Sequence, residues 1–313
     1  MVDKKVIGID VGKDELVVAV PEVKGVRKFK NTSKGIEKLR DYISKFNVKQ
    51  VIVEACHYEK RVHYQLAGYG FNVHVANPRR ARDFAQAAGA HGKTDPVDAL
   101  MLAKYGEAMK LSFTAVPTKA EQRLRSLLKR RSELIDNRSR EKNRAHKSPE
   151  MADSYERILD FLKNEIKSID LKIDEILQEN SLRKLLKNVE ILESIRGVGR
   201  VTALYLAVYL PELGKLGRRE IASLAGVAPR NNDSGKQRGK RFVGPGRMIV
   251  KHSLFMCVLA AVQFNPQLKT FYERLKNKGK HNLVCRVAVM KKMVILMNAL
   301  IRDQRTWEPR MGL

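Results

Sequence analysis

The sequence predicts an α/β domain built on a mixed sheet, then a long helical hairpin, then a mostly helical remainder. Three observations carry that expectation. Short β-branched runs alternate with amphipathic stretches over residues 1–77. Residues 119–190 hold no glycine and repeat Leu and Ile every three or four positions. From 191 to 313 helical periodicity returns, broken by Gly-rich punctuation.

The elements follow in order. KKVIGIDVGKDELVVAV within residues 1–20 reads as two short strands around a glycine-containing turn, and a Lys/Arg-rich strand fits 26–31. Ile36, Leu39, Ile43 and Phe46 share one face of a helix over 35–46. QVIVEA (50–55) is a buried strand, a helix near 60–69 and the strand FNVHVAN (71–77) come next, and Pro78 closes the unit. The domain ends in a helix begun around Pro96. Leu124, Leu127, Leu128, Leu134 and Ile135, then Ile158, Leu162, Ile166, Ile169, Ile173 and Ile176 beyond the break at 147–151, describe two long helices. They pair as an antiparallel hairpin or a coiled coil.

Composition bounds the function. The chain has 313 residues, 61 Lys+Arg against 34 Asp+Glu, and a formal net charge of +27, so its default partner is a polyphosphate. The apolar share of 43% supports a sizeable core and excludes collagen-like or disordered classes. The longest apolar stretches, near 201–210 and 253–262, fall short of the roughly 20 residues that span a bilayer. The first twelve residues carry no apolar signal core, so a soluble, cytoplasmic protein with no membrane partner is expected. Cys56, Cys257 and Cys285 are odd in number and never at C-x-x-C spacing. All three are expected to be buried, reduced thiols.

Three constellations carry chemistry. Asp10 and Glu54 each end an apolar run, where strands leave a sheet and side chains converge. Asp95 and Asp98 lie three apart at a helix start and share a face. Asp95 as N-cap ahead of Pro96 accounts for part of that pair structurally, while Asp98 needs no such role. Four hard carboxylates suit Mg²⁺ or Mn²⁺, and two such ions serve phosphoryl transfer. The second constellation is IRGVGRVTA (195–203), where Gly197, Gly199 and Arg200 resemble a helix–hairpin–helix phosphate site. A plain inter-helix turn is the structural alternative. The third is 224–251, where Ser234 stands among Arg230, Lys236, Arg238, Lys240, Arg241, Arg247 and Lys251. Spacing alone makes Ser234 a turn serine, and no nearby His could activate it as in a hydrolase triad. The segment 119–147 adds eleven Lys/Arg against four Asp/Glu. That is either a solvated face or, given the global charge, a phosphate-contacting one.

In this order the motifs resemble the DEDD-type insertion-sequence transposases, the bridge-RNA-guided recombinases. GIDVGK (8–13), VEA (53–55), KTDPVDA (93–99), the Gly-x-Gly turn at 197–199, GVAPRNNDSG (226–235) and the Gly-Arg stretch at 244–251 carry the resemblance across nearly the whole chain. Two positions depart from the pattern. Cys56-His57-Tyr58 stands where the family has Thr-Gly after Glu-Ala, leaving Glu59 as a lesser alternative carboxylate. Arg247 and Lys251 stand where the family has Asn and Arg. The resemblance implies an RNase H-like (RuvC-like) domain over 1–115, a coiled-coil oligomerisation segment over 116–190, and a mostly α transposase domain over 191–313. It implies Mg²⁺ or Mn²⁺ on Asp10, Glu54, Asp95 and Asp98, and attack on DNA by Ser234 in a composite site between subunits. It further implies donor and target DNA, a structured non-coding guide RNA, a dimer or tetramer, and a nucleoid-associated location. Two rivals remain at this point. One is a Holliday-junction-resolvase-like nuclease that uses only the four acids, and the other is a non-catalytic nucleic-acid scaffold.

Overall fold

The computed structural model describes residues 4–308 apart from 91, 93, 236 and 240, and gives no side chains for 237 and 238. The chain divides into two compact units, 1–116 and 117–313.

In the first unit, β1 (Lys5–Val11), β2 (Glu15–Ala19), β3 (Arg27–Lys30), α1 (Ser33–Ile43), β4 (Val48–Glu54), α2 (Glu59–Gly68), β5 (Val73–Ala76), α3 (Pro78–Ala87) and α4 (Asp95–Ala108) follow one another. The five strands form one sheet in the order β3-β2-β1-β4-β5. The β1–β2 and β2–β3 pairs are antiparallel, whereas β1–β4 and β4–β5 are parallel, so the sheet is mixed as expected. Alternation sorts side chains to two faces. Ile7, Ile9, Leu16, Val18, Val51 and Val53 pack with Ile36, Leu39, Ile43, Val62 and Leu66 of α1 and α2. Val6, Ile52 and Ala76 face the other way, onto Ala81, Leu102 and Tyr105 of α3 and α4.

Pro78 does not close the unit; it opens α3. Asn77 accepts the backbone N–H of Arg80 and the proline takes the first helical position, where no N–H is needed. Beyond α4, the segment 111–114 covers the β5 edge. Thr114 donates its N–H to Val73 O at 2.7 Å, and His63 Nε2 meets Thr114 O at 2.9 Å.

The second unit begins with α5 (Lys119–Ala145) and α6 (Ala152–Ile176). Thr118 and Glu121 close a reciprocal capping box at the start of α5. Leu162, Ile166, Ile169, Ile173 and Ile176 repeat at 4-3-4-3 spacing and are buried with Leu124, Leu128 and Leu134. The pairing runs antiparallel, with Arg123 on Glu179 at 2.8 Å and Arg131 on Asp170 at 2.5 Å. The second arm ends with the last isoleucine of its repeat, Ile176, short of the expected bound at 190. It breaks at 177–182, and a separate helix α7 (Arg183–Glu193) folds back.

Helices α8 (Arg200–Tyr209) and α9 (Arg218–Leu224) follow, then short strands β6 (Pro229–Arg230), β7 (Asp233–Ser234), β8 (Gln237–Arg238) and β9 (Phe242–Val243). These strands replace what composition presents as Gly-rich punctuation. Helices α10 (Met248–Phe264), α11 (Pro266–Asn277) and α12 (Asn282–Asp303) complete the unit. One core runs from Ala120 to Trp307. Tyr205 and Tyr209 of α8 donate to the carbonyls of Leu128 and Arg125 and so fix α5 to this helical body. No single described helix is long and apolar enough to cross a membrane. Cys257 and Cys285 are buried as expected, and burial pushes the Cys257 thiol up to about 12. Cys56 corrects that expectation, because it is exposed.

Candidate active site

The sheet register builds the carboxylate site. On β1 and β4 the parallel pairing runs Gly8 with Ile52 and Ile9 with Val53, and one step further lie Asp10 and Glu54. Ordinary strand spacing of about 4.8 Å separates such neighbours, and both side chains leave the sheet on one face. Asp10 also pairs with Val17, which pairs with Lys28, so Lys28, Val17, Asp10 and Glu54 make a row across the sheet.

Helix α4 crosses that face. A Cβ at Gly8 would meet Ala99 O at 2.0 Å and Ala103 N at 2.5 Å, and one at Gly106 would meet Ile52 Cγ1 at 2.6 Å. Only glycine at both positions allows this approach. The contacts also set the direction of α4, which runs antiparallel to β1. Asp95 therefore lies about one turn, some 5.4 Å, ahead of the Ala99–Gly8 contact, at the level of Asp10. Asp98 stands one turn ahead of Leu102, which packs on Ile52, two residues before Glu54. The four acids thus reach one end of one sheet face.

Asp95 is not the helix cap. Thr94 holds that position and Asp95 is the first helical residue, so capping does not account for it. Lys28 is a member of this face that composition alone did not single out. Its hydrogen bond to Glu15 at 2.6 Å, helped by the charge of Asp95, holds its ammonium above the usual lysine range. The Cys56–Glu59 departure forms a local turn. Glu59 Oε2 accepts the Cys56 N–H at 3.3 Å, so this carboxylate caps its own loop.

All the donors are hard carboxylate oxygens, the set that Mg²⁺ and Mn²⁺ take. Among the described residues no three His, Cys, Asp or Glu side chains are gathered tightly enough to hold one ion. The arrangement is a pair on the sheet beneath a pair on a helix start. It fits a divalent ion in donor chemistry and placement, without a closed shell already assembled. Lys93 of the KTDPVDA motif lies outside the described residues.

In the second unit, Ser234 ends β7, pairs with Gln237 of β8 and is exposed. Lys236 and Lys240 lie outside the described residues, as does the side chain of Arg238. Arg230 is exposed, and its guanidinium lies over Gly244, where a Cβ would come within 2.2 Å of its Nε. Arg241 is exposed and Lys251 partly so. Arg247, expected to contact nucleic acid, is engaged within the protein. Both ends of its fork bind Glu212 at 2.6 Å, and it also donates to Tyr209 O at 2.9 Å. That ties the foot of the β7–β8 hairpin segment to the end of α8. Gly226 and Gly246 cross there backbone to backbone.

The turn between α7 and α8 serves packing first. Gly197 has φ +100°, and a Cβ there would meet Ala261 of α10 at 2.6 Å. Gly199 caps α8 in open space, and the exposed Arg200 lies 3.5 Å from Asp174.

Comparison with known proteins agrees with this layout. Residues 7–148 match a model of IS110-type DEDD transposases, and residues 189–273 match that of the transposase IS116/IS110/IS902 family. The pilin gene-inverting protein of Moraxella bovis is 27% identical over 326 residues, covering 98% of each chain. That of Moraxella lacunata is 28% identical, covering 83% of this chain and 82% of its own. An uncharacterized 43.6 kDa protein of insertion element IS110 from Streptomyces coelicolor is 25% identical over 46% of this chain and 35% of its own. With the four carboxylates inside one matched segment and Ser234 inside the other, the chain belongs to the IS110-type DEDD transposases.

Proposed function

We propose that the protein is an insertion-sequence recombinase that cuts and rejoins DNA strands through Ser234, assisted by a divalent ion on Asp10, Glu54, Asp95 and Asp98. The observation that carries this is the row that sets Asp10 beside Glu54 under the start of α4. A bound Mg²⁺ or Mn²⁺ would neutralise charge on the phosphate oxygens. Ser234 Oγ attacks phosphorus and loses its proton, and the P–O bond to the leaving strand breaks. That strand departs as a free hydroxyl, and the serine is left as a phosphoserine ester. A hydroxyl of the incoming strand then attacks the ester, remakes a phosphodiester and returns the serine, with no water consumed. The name of the Moraxella relatives, pilin gene-inverting protein, supports rejoining, because inverting a gene requires every cut strand to be resealed.

The remaining parts of the reading follow from charge and exposed surface. Arg200, Arg230, Lys236, Arg238, Lys240, Arg241 and Lys251 would hold backbone phosphates of donor and target DNA. The hairpin of α5 and α6 would join copies of the chain as a coiled coil. Past Ile135 the α5 side of the seam turns polar, while α6 leaves Ile158 and Phe161 exposed at 42% and 62%. A structured RNA would select sites by base pairing, in a cytoplasmic, nucleoid-associated complex.

The hydrolytic alternative, a resolvase-like nuclease, is favoured by one observation: all four acids belong to the first unit and Ser234 to the second. A covalent-adduct assay in cells carrying the gene with its native flanks separates the two. Wild type should give protein-linked DNA and recombinant junctions, and both Ser234→Ala and Asp95→Ala should abolish them. Junctions persisting in Ser234→Ala would end the serine mechanism.

A further inference from the structure

The last part of the chain carries a charge run that no motif draws attention to. Between Glu273 and Asp303 there is no acidic residue, and eight Lys or Arg. The fold concentrates four of them where α11 ends at Asn277 and α12 begins at Asn282. Arg274, Lys276, Lys278 and Lys280 are all exposed there. Immediately beyond, Leu283 and Val284 are 53% and 55% exposed in the first turn of α12, while Cys285 is buried. His281 accepts the Leu283 N–H through Nδ1, so its ring is committed to capping the helix.

This turn holds its cations without acid partners, whereas part of the α5 charge is neutralised within the protein. On α5, Arg123, Arg131 and Arg144 hold Glu179, Asp170 and Glu141. Among the described residues none of Arg274, Lys276, Lys278 and Lys280 forms an ion pair. Cations even crowd one another. Arg274 and Lys292 lie 5.3 and 4.3 Å from the ring centre of Phe271, and burial, then the charge of Arg274, pulls Lys292 below its usual range. Arg274, Lys276, Lys278 and Lys280, exposed and without ion pairs among the described residues, fit a polyanion that supplies the missing charge.

We propose that the α11–α12 turn is a separate binding site for duplex DNA, with Arg274, Lys276, Lys278 and Lys280 on backbone phosphates and Leu283 and Val284 against the minor groove. This rests on the recombinase reading and adds a contact outside the family-matched residues, which end at 273. The aliphatic pair selects the class of nucleic acid. Proteins that work in the DNA minor groove press apolar side chains against base steps, whereas unpaired RNA is gripped by exposed aromatic rings. Phe271 and Tyr272 are only partly exposed.

The test uses the full chain in EDTA, with the acids and Ser234 intact, so that only binding is read. Affinity for a short DNA duplex is followed by fluorescence anisotropy against salt, for wild type, K276A/K278A/K280A and L283A/V284A. An RNA duplex of the same sequence and phosphatidylserine vesicles form parallel arms. Loss of three phosphate contacts should reduce the slope of log affinity against log salt by about 2.7, and affinity by at least about tenfold. The aliphatic double variant should keep the slope and weaken DNA binding alone. An unchanged slope in the lysine variant overturns the site while leaving the recombinase reading standing. Equal or larger losses on RNA or on vesicles would assign the turn to those partners instead. If wild type binds no duplex DNA, the site falls, while the recombinase reading is decided by the covalent-adduct assay. Because these side chains are exposed, the melting temperature should not change in either variant, which excludes unfolding as the cause.

Discussion

The two regions proposed to share the chemistry are built in opposite ways. Asp10 and Glu54 sit on seven-residue strands whose neighbours Ile9 and Val53 are fully buried. Ser234 sits on a two-residue strand with both residues exposed. In the first case the backbone is set by close packing, and a carboxylate cannot move without disturbing a core. In the second it is held by a short ladder and by ties at the foot, where Gly226 meets Gly246 and Arg247 meets Glu212. The carboxylates are thus preorganised by the fold, while the serine gains its final position from what binds the hairpin.

The largest test of that contrast compares two glycines. Gly8→Val would place a side chain where Ala99 O leaves only 2.0 Å, forcing α4 and both its aspartates off the sheet. We expect about 3 kcal/mol lost from the first unit in urea denaturation, with loss of recombination. Gly235, at φ +55° beside Ser234, has nothing within 4 Å of a Cβ. Gly235→Ala should cost about 1 kcal/mol or less, the strain of a left-handed residue alone. Similar costs at the two sites would erase the distinction between a packed site and an adaptable one.

A smaller effect tests the foot of the hairpin. The Arg247–Glu212 pair is bidentate, but its side chains remain 37% and 31% exposed, so solvent screens it. Glu212→Gln should cost about 1 kcal/mol in denaturation. The salt dependence of DNA binding should stay at the wild-type slope, since this guanidinium is already held by Glu212 and Tyr209 O. A slope lowered by about 0.9 in Arg247→Ala would show instead that it reaches a phosphate.

The sequence makes the packed region legible and the adaptable one much less so. Acids that end apolar runs mark strand ends, so Asp10 and Glu54 follow from VIGID and VIVE. The face they occupy does not, because it depends on α4 finding Gly8 and Gly106. Asn77-Pro78 carries a helix-start signal, yet proline as a breaker hides α3. Arg247 looks like any other cation in a basic loop, since its acid lies 35 positions away. Lys28 is visible only through the row it shares with Asp10, and the α11–α12 turn only through the lack of acids around it. Local pattern encodes elements, whereas charge neutralisation is a long-range property that the fold alone reveals.

The smallest prediction concerns the one edge of the sheet that is covered by an irregular segment. His63 is 4% exposed, and burial holds its imidazole below the ordinary 6.5, while its Nε2 meets Thr114 O. Above 6.5 the ring is neutral in both folded and unfolded chains, and its titration contributes nothing to pH dependence. As pH falls below 6.5 the unfolded chain takes up the proton first, so stability declines until the folded ring titrates as well. His63→Gln removes that proton uptake and can retain a donor toward Thr114 O. The stability of wild type relative to this variant should therefore fall between pH 6.5 and 5, measured by urea denaturation at each pH. A difference that stays flat across that range would mean that the ring titrates normally. The β5 edge would then be as open to solvent as Ser234, and the contrast between the two regions would not extend to the margin of the sheet.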